Sequence, residues 1–253
     1  MTRISGNLLI FALASLFVLS ACGGGGDSSG TPPATPSAAA GIWLGTFTSD
    51  VTHITSSATG LVADTDSARF GLPDTLAQYS GVLNVNGNSF STTATAYAPH
   101  GSTLLDGSEV GTVTISGTFT PKGTMSGTYS GAGDAGTFTL TYNGSLYERR
   151  SSLPSVSGLW KGKILDFTNF ISINNDGAIV GVNTTGCTYG GHVSVIDPLF
   201  NIYSVHLDID TCGSNNGTYD GLAALSDTSD TNDTFITIMS SPTLSLIASL
   251  RKQ

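Results

Sequence analysis

Three features of this sequence predict an all-β chain made of two tandem small antiparallel up-and-down barrels. Apolar and polar residues alternate strictly, turn-forming pairs recur at short intervals, and a Gly-x-Trp-x-Gly pattern occurs twice. In Tyr203-Ser204-Val205-His206-Leu207-Asp208-Ile209-Asp210 every second residue is apolar, as a strand with one wet face requires. The same period runs through Thr112–Phe119 and Thr234–Ile238, with Thr and Ser on the wet side. Asn86-Gly87, Asn143-Gly144, Asp176-Gly177 and Asn216-Gly217 supply residues that accept positive φ, and Pro121-Lys122-Gly123 punctuates another pair of runs. Such spacing means hairpins rather than βαβ crossovers, and it gives about eight strands per unit, enough to close a small barrel and remove its edges.

Composition excludes the other large classes. Among 253 residues Glu occurs twice and Lys four times, while Thr, Ser and Gly fill more than a third of the chain, so a coiled coil or helical bundle is excluded. With 18 acidic against 9 basic residues the chain lacks the positive field that phosphate contacts need, and no nucleic-acid partner is expected.

The N-terminus carries an address. Arg3 precedes an apolar run from Leu8 to Leu19, which is long enough for a secretory signal and too short to span a bilayer. Leu19-Ser20-Ala21-Cys22 resembles the bacterial lipobox, which implies a signal peptide over 1–21 and lipidation, palmitate included, at Cys22. Several acyl chains on one residue anchor firmly, since each buried CH₂ contributes about 0.8 kcal/mol. Gly23 stands where Asp would favour inner-membrane retention in Gram-negative lipoproteins, so the resemblance implies the outer membrane, with the exposed side unspecified. From Gly23 to Ala40 the sequence has no apolar periodicity and reads, with Cys22, as a flexible tether over 22–40.

The remainder looks duplicated. Gly41-Ile42-Trp43-Leu44-Gly45 and Gly158-Leu159-Trp160-Lys161-Gly162 lie 117 residues apart and contain both tryptophans. Leu146–Arg150 and Ala248–Lys252 read as matching closures, which gives a first unit over 41–150, a Pro-containing linker over 151–157 and a second unit over 158–253. A Gly-x-Trp on the first strand with a basic residue across the indole resembles the lipocalin and calycin signature that plugs one barrel end. That resemblance implies Arg149 or Arg150 against Trp43, and Arg251 against Trp160. The whole layout is similar to Gram-negative surface lipoproteins such as the barrel domains of transferrin-binding and factor-H-binding lipoproteins, an architectural likeness only.

Candidate chemistry is sparse. Cys187 and Cys212 sit in one unit of a chain addressed to an oxidising compartment and lack metal-type spacing, so a disulfide is expected. His206, Asp208 and Asp210 alternate along one strand face; separations of about 7 Å keep them from converging on one ion, and a solvated face is expected. Asp227, Asp230, Asn232 and Asp233 lack the Gly and terminal Glu of a calcium loop and read as an acidic hairpin tip. No nucleophile elbow or paired-carboxylate arrangement stands out, so no catalytic residue, metal or cofactor is assigned. The sequence thus suggests a non-enzymatic outer-membrane lipoprotein presenting its barrels to a protein or glycan partner or as envelope scaffold. The alternative is a lipocalin-like carrier of a small apolar ligand, recognisable by an apolar cavity of about 300 Å³ or more in one barrel. Replacing the lipidation residue tests the address: Cys22→Ser should remove all acyl mass from the membrane-fraction protein in mass spectrometry, and a mutant still acylated would refute the lipobox.

Overall fold

A computed structural model of the chain describes residues 37–164 and 167–253. The signal segment, Cys22 and the tether as far as residue 36 lie outside the described residues. The first barrel is formed by β1 (Gly41–Ser49), β2 (Thr55–Val62), β3 (Ser67–Leu72), β4 (Ala77–Val82), β5 (Asn84–Asn86), β6 (Ser89–Tyr97), β7 (Val110–Phe119), β8 (Thr124–Gly131) and β9 (Asp134–Tyr142). β4 and β5 act as one broken strand, because β6 pairs with both, and the β4–β6 pairing closes an eight-stranded antiparallel barrel. Two one-turn helices follow, α1 (Gly144–Tyr147) and α2 (Leu153–Val156).

The second closed barrel comprises β10 (Gly158–Ile164), β11 (Phe167–Ile173), β12 (Ala178–Asn183), β13 (Thr188–Val195), β14 (Tyr203–Asp210), β15 (Gly217–Ser226), β16 (Thr234–Ser240) and β17 (Ser245–Lys252). The two up-and-down barrels expected from the alternation are therefore present. Inward positions carry the apolar residues, as in Tyr203, Val205, Leu207 and Ile209 of β14, while Thr and Ser face out. This is the reverse of a membrane-spanning barrel, whose apolar band faces lipid.

Each barrel is plugged at the end where its chain enters. Trp43 and Trp160 are 0% and 1% exposed. Each indole N–H donates to the carbonyl four residues upstream, Trp43 to Ala39 at 3.0 Å and Trp160 to Val156 at 2.8 Å. The second glycine of the repeated motif follows from backbone approach. A Cβ on Gly45 would lie 2.0 Å from the Thr139 carbonyl oxygen, and one on Gly162 2.6 Å from that of Ser249.

The entry segments are folded for the same reason, which corrects two boundaries. Ser37–Ala40 forms a turn bonded to Asp64, with Ala39 fully buried, so the tether does not extend to Ala40. The expected linker is the plug of the second barrel. Ser152 caps α2 through Ser155 N–H, buried Ser151 donates to the Asp197 carbonyl, and Val156 is fully buried. The apolar Val156 and the need of an indole N–H for an acceptor override the turn-like composition.

The two barrels form one compact unit. Ile42, Leu61 and Ala63 of the first meet Leu222, Ala224 and Ile238 of the second in a shared apolar cluster. Tyr147 stacks on Phe200 with centroids 4.6 Å apart. Asn201 stitches the seam: its side chain donates to the Leu146 and Leu225 carbonyls and accepts from Leu225 N–H, while its own N–H donates to Tyr147.

Truncating a buried aromatic costs about 3–5 kcal/mol, so Trp160→Ala should lower stability by that order. Trp43 then remains as a fluorescent reporter of the first barrel alone. Its denaturant midpoint should fall together with the circular-dichroism midpoint because the seam couples the barrels; a Trp43 transition left at the wild-type midpoint would show that they unfold independently.

Candidate functional site

The first barrel is open at the end opposite Trp43. There the β1–β2, β3–β4, β6–β7 and β8–β9 connections surround a mainly apolar hollow of about 300 Å³. Its wall includes Phe47, Leu72, Tyr79, Ala96, Val113 and Leu104. Small inward residues make the space: β2 contributes Ser56, Ala58 and Gly60, and β6 contributes Thr92, Ala94 and Ala96. Facing positions of the second barrel carry Ile171, Ile173, Val205, Leu207 and Ile209, and only about 20 Å³ remains inside it.

The hollow has an aromatic floor and one charged wall residue. Phe47 lies 5.5 Å from Tyr79 and 5.6 Å from Tyr129 between ring centroids, and the two tyrosines are 5.8 Å apart. Asp134 accepts from Ser49 Oγ at 2.7 Å, from Ala135 N–H at 2.8 Å and from the Tyr129 hydroxyl at 3.0 Å. Ser49 is held in turn by the Val51 and Thr52 amides of the β1–β2 hairpin. Tyr79 is 8% exposed, and burial first, with the Asp134 charge second, pushes its pKa up to about 12. Burial also raises the Tyr129 hydroxyl, with Tyr79 and the bond to Asp134 adding to the effect.

At the same end of the second barrel Cys187 and Cys212 form the expected disulfide, with Cα atoms 4.8 Å apart. It ties the β12–β13 hairpin to the β14–β15 connection, across the rim that corresponds to the mouth of the first barrel. The corresponding connection in the first barrel is the Ala98–Glu109 segment, whose Pro99, Thr103, Leu104 and Leu105 border the hollow.

The basic residues expected on the indoles lie elsewhere. Arg149 makes a two-pronged bond to Asp227, both N–O distances 2.6 Å, and reaches Asn232 at 3.2 Å. Arg150 is exposed. Arg251 bonds Thr228, Ser229 and Asp233, at 2.5, 3.0 and 3.0 Å. Trp160 instead has Lys252 over its ring at 5.3 Å, and Trp43 has Tyr142 edge-on at 5.5 Å. Register explains the exchange: Tyr142 and Lys252 are the cross-strand partners of Trp43 and Trp160, whereas Arg149 lies beyond the end of β9. Charge-assisted bonds to carboxylates, two-pronged for Arg149 and single for Arg251, hold both arginines on the acidic β15–β16 hairpin.

That hairpin is a built structure rather than a bare acidic tip. Asp233 accepts from the Thr228, Ser229 and Asp230 amides and from the Thr228, Ser229 and Thr234 hydroxyls, and the Thr228 hydroxyl bond leads the causes that hold its carboxyl far below the usual range. His206 faces solvent and bonds Asp220 across the strand pair at 2.7 Å, which raises its pKa. Among the described residues no group of three or more His, Cys, Asp or Glu side chains could hold a metal ion.

No protein-family profile matches the chain, and no curated protein sequence matches it. A crystal structure of a Bacteroides fragilis protein, assigned provisionally to the outer membrane, matches at 14% identity over 85% of this chain and 97% of that one, with a TM-score of 0.29. No conclusion about this chain rests on so low a score.

Arg149 ties the segment between the barrels to the second barrel, and its carboxylate partner makes that tie acid-sensitive. The Arg149 bond holds Asp227 below its ordinary value of 3.8, so its contribution is complete above about pH 4 and is lost as pH falls through the folded-state value. Being solvent-accessible on both sides, the pair contributes about 1 kcal/mol or less. Asp227→Asn should therefore be slightly less stable than wild type at pH 7 and lose less on acidification to about pH 3, as read by urea midpoints at each pH.

Proposed function

We propose that the chain is a non-enzymatic, lipid-anchored protein of the outer membrane whose first barrel holds a small apolar ligand, with the second barrel as its filled support. The observation that carries this reading is the difference between the interiors, about 300 Å³ in one barrel and about 20 Å³ in the other. A space of that size lies at the lower end of ligand pockets, about 300–1,000 Å³, and its lining has the expected character, apolar with a few polar groups. The anchor reading is supported by Leu19-Ser20-Ala21-Cys22 after an apolar run. Presentation of the barrels to a protein or glycan partner draws support from no comparable feature.

The test is titration of the whole chain carrying Cys22→Ser with N-phenylnaphthylamine, a neutral apolar probe that brightens on leaving water. Saturable binding of one probe per chain is expected. Ala96→Leu adds carbons on the wall of the hollow and should weaken binding by about tenfold or more. Absence of saturable binding, or binding unmoved by Ala96→Leu, would overturn the carrier reading.

A further inference from the structure

The hollow of the first barrel carries a charge that no described residue balances. Asp134 is the one Asp, Glu, Lys, Arg or His on its lining. Its recorded partners, Ser49, Ala135 N–H and Tyr129, are neutral donors, and no Lys, Arg or His among the described residues forms a salt bridge with it. Neutral donors satisfy the oxygen lone pairs but leave the net charge in place. A ligand with its own carboxylate would meet that charge without a counter-ion. A ligand with a positive end would supply the missing one.

The aromatic floor points the same way. Tyr79 and Tyr129, 5.8 Å apart between centroids, line the hollow over Phe47, which is itself stacked between Tyr79 and Phe138, and aromatic rings attract cations. The Tyr79 hydroxyl is a second pointer. Its residue is more than nine-tenths buried and lines the hollow, and the hydroxyl has no hydrogen-bond partner among the described residues. The hydroxyl is open to the space of the hollow, where a ligand N–H can reach and pair it.

Resting on the carrier reading above, we propose that the open end of the first barrel selects a cationic amphiphile, a small apolar body bearing an ammonium group held by Asp134, Tyr79 and the aromatic floor. The apolar body takes the Leu72, Ala96 and Val113 wall, and the ammonium end takes the Ser49–Asp134 side. Several described cations are engaged elsewhere, Arg149 and Arg251 on the β15–β16 hairpin, Lys122 with Glu148, Lys252 over Trp160 and Lys161 over Phe170, and no described cation forms a salt bridge with Asp134.

Calorimetric titration of the whole chain carrying Cys22→Ser with octylammonium, octanol and octanoate tests the proposal, since the three share one tail and differ in charge. Octylammonium should bind at least about tenfold tighter than octanol, with octanoate weakest and the ammonium preference shrinking in high salt. Asp134→Asn should bring octylammonium to the affinity of octanol while leaving octanol unchanged. Tyr79→Phe, which removes an unpaired hydroxyl and preserves the ring, should reduce the ammonium preference severalfold. It carries the test if Asp134→Asn fails to fold, and an unchanged preference in Tyr79→Phe would then refute the proposal. Octanol binding as tightly as octylammonium would overturn the charge selection and leave the carrier reading standing. No binding of any of the three would overturn both.

Discussion

The fold depends on an indole that must be buried whole and still find an acceptor for its N–H. In each barrel the solution is the same: the ring plugs the end, and the proton goes to a carbonyl four residues earlier. That bond obliges the chain to fold before the first strand begins, as the Ser37–Ala40 turn in one barrel and α2 in the other. It also fixes where the last strand arrives, because Tyr142 and Lys252 lie opposite the two tryptophans in register. The second glycine of each motif, Gly45 and Gly162, then follows from a neighbouring backbone that approaches too closely for a Cβ. Sequence repeat, folded entry and strand register are thus consequences of one buried polar atom on a large apolar ring.

With both entry ends set, joining the barrels becomes a surface problem. The outer faces of β15 and β16 carry Leu222, Ala224 and Ile238 where a solvated strand would carry Thr or Ser, and Ile42 and Leu61 of the first barrel cover them. Burying such side chains contributes about 1.5–3 kcal/mol each for the larger ones, far more than the solvent-accessible Arg149–Asp227 pair. Apolar contact therefore supplies the adhesion, Asn201 fixes its register, and Arg149 ties the segment between the barrels to the second one. The segment between the barrels has few free residues because both of its halves are engaged, α1 in the seam and α2 in the plug.

The barrels, their number and their tryptophan-marked starts were legible in the sequence because alternation with period two and paired turn residues are local signals. The disulfide was legible from compartment and count. The closing arginines were misread because Leu146–Arg150 resembles Ala248–Lys252 in composition, while the true counterpart of Lys252 is Tyr142, matched by cross-strand register rather than residue type. The tether and linker boundaries failed because Ala39 and Val156 look unremarkable until an indole needs their carbonyls. The hollow did leave a trace that went unread. Along β6 the inward residues Thr92, Ala94 and Ala96 are small, where β14 has Val205, Leu207 and Ile209. Asp134 gave no warning, since it sits in a tight turn where acidic residues are ordinary surface choices.

The unequal interiors bear on why two barrels are joined at all. A sealed, dry void of about 300 Å³ would cost roughly 7 kcal/mol at about 24 cal/mol per Å³, comparable with the whole stability of a small domain. The hollow avoids most of that penalty by opening to water at its rim, where Ser49, Asp134 and the β1–β2 amides form a hydrogen-bonded network. What it forgoes is the side-chain contact that fills the second barrel. That barrel has Ile, Leu, Phe and Met in its interior and a rim cross-linked between Cys187 and Cys212, a constraint on a loop of 25 residues that stabilises by roughly 3 kcal/mol. Because Leu61 and Ile42 are buried only while Leu222 and Ile238 remain in place, stability in the filled barrel is shared through the seam with the hollow one. Under the proposed reading, a protein that keeps space for a ligand in one barrel needs the other to be packed without space, and the asymmetry inside an otherwise repeated frame is the physical form of that requirement.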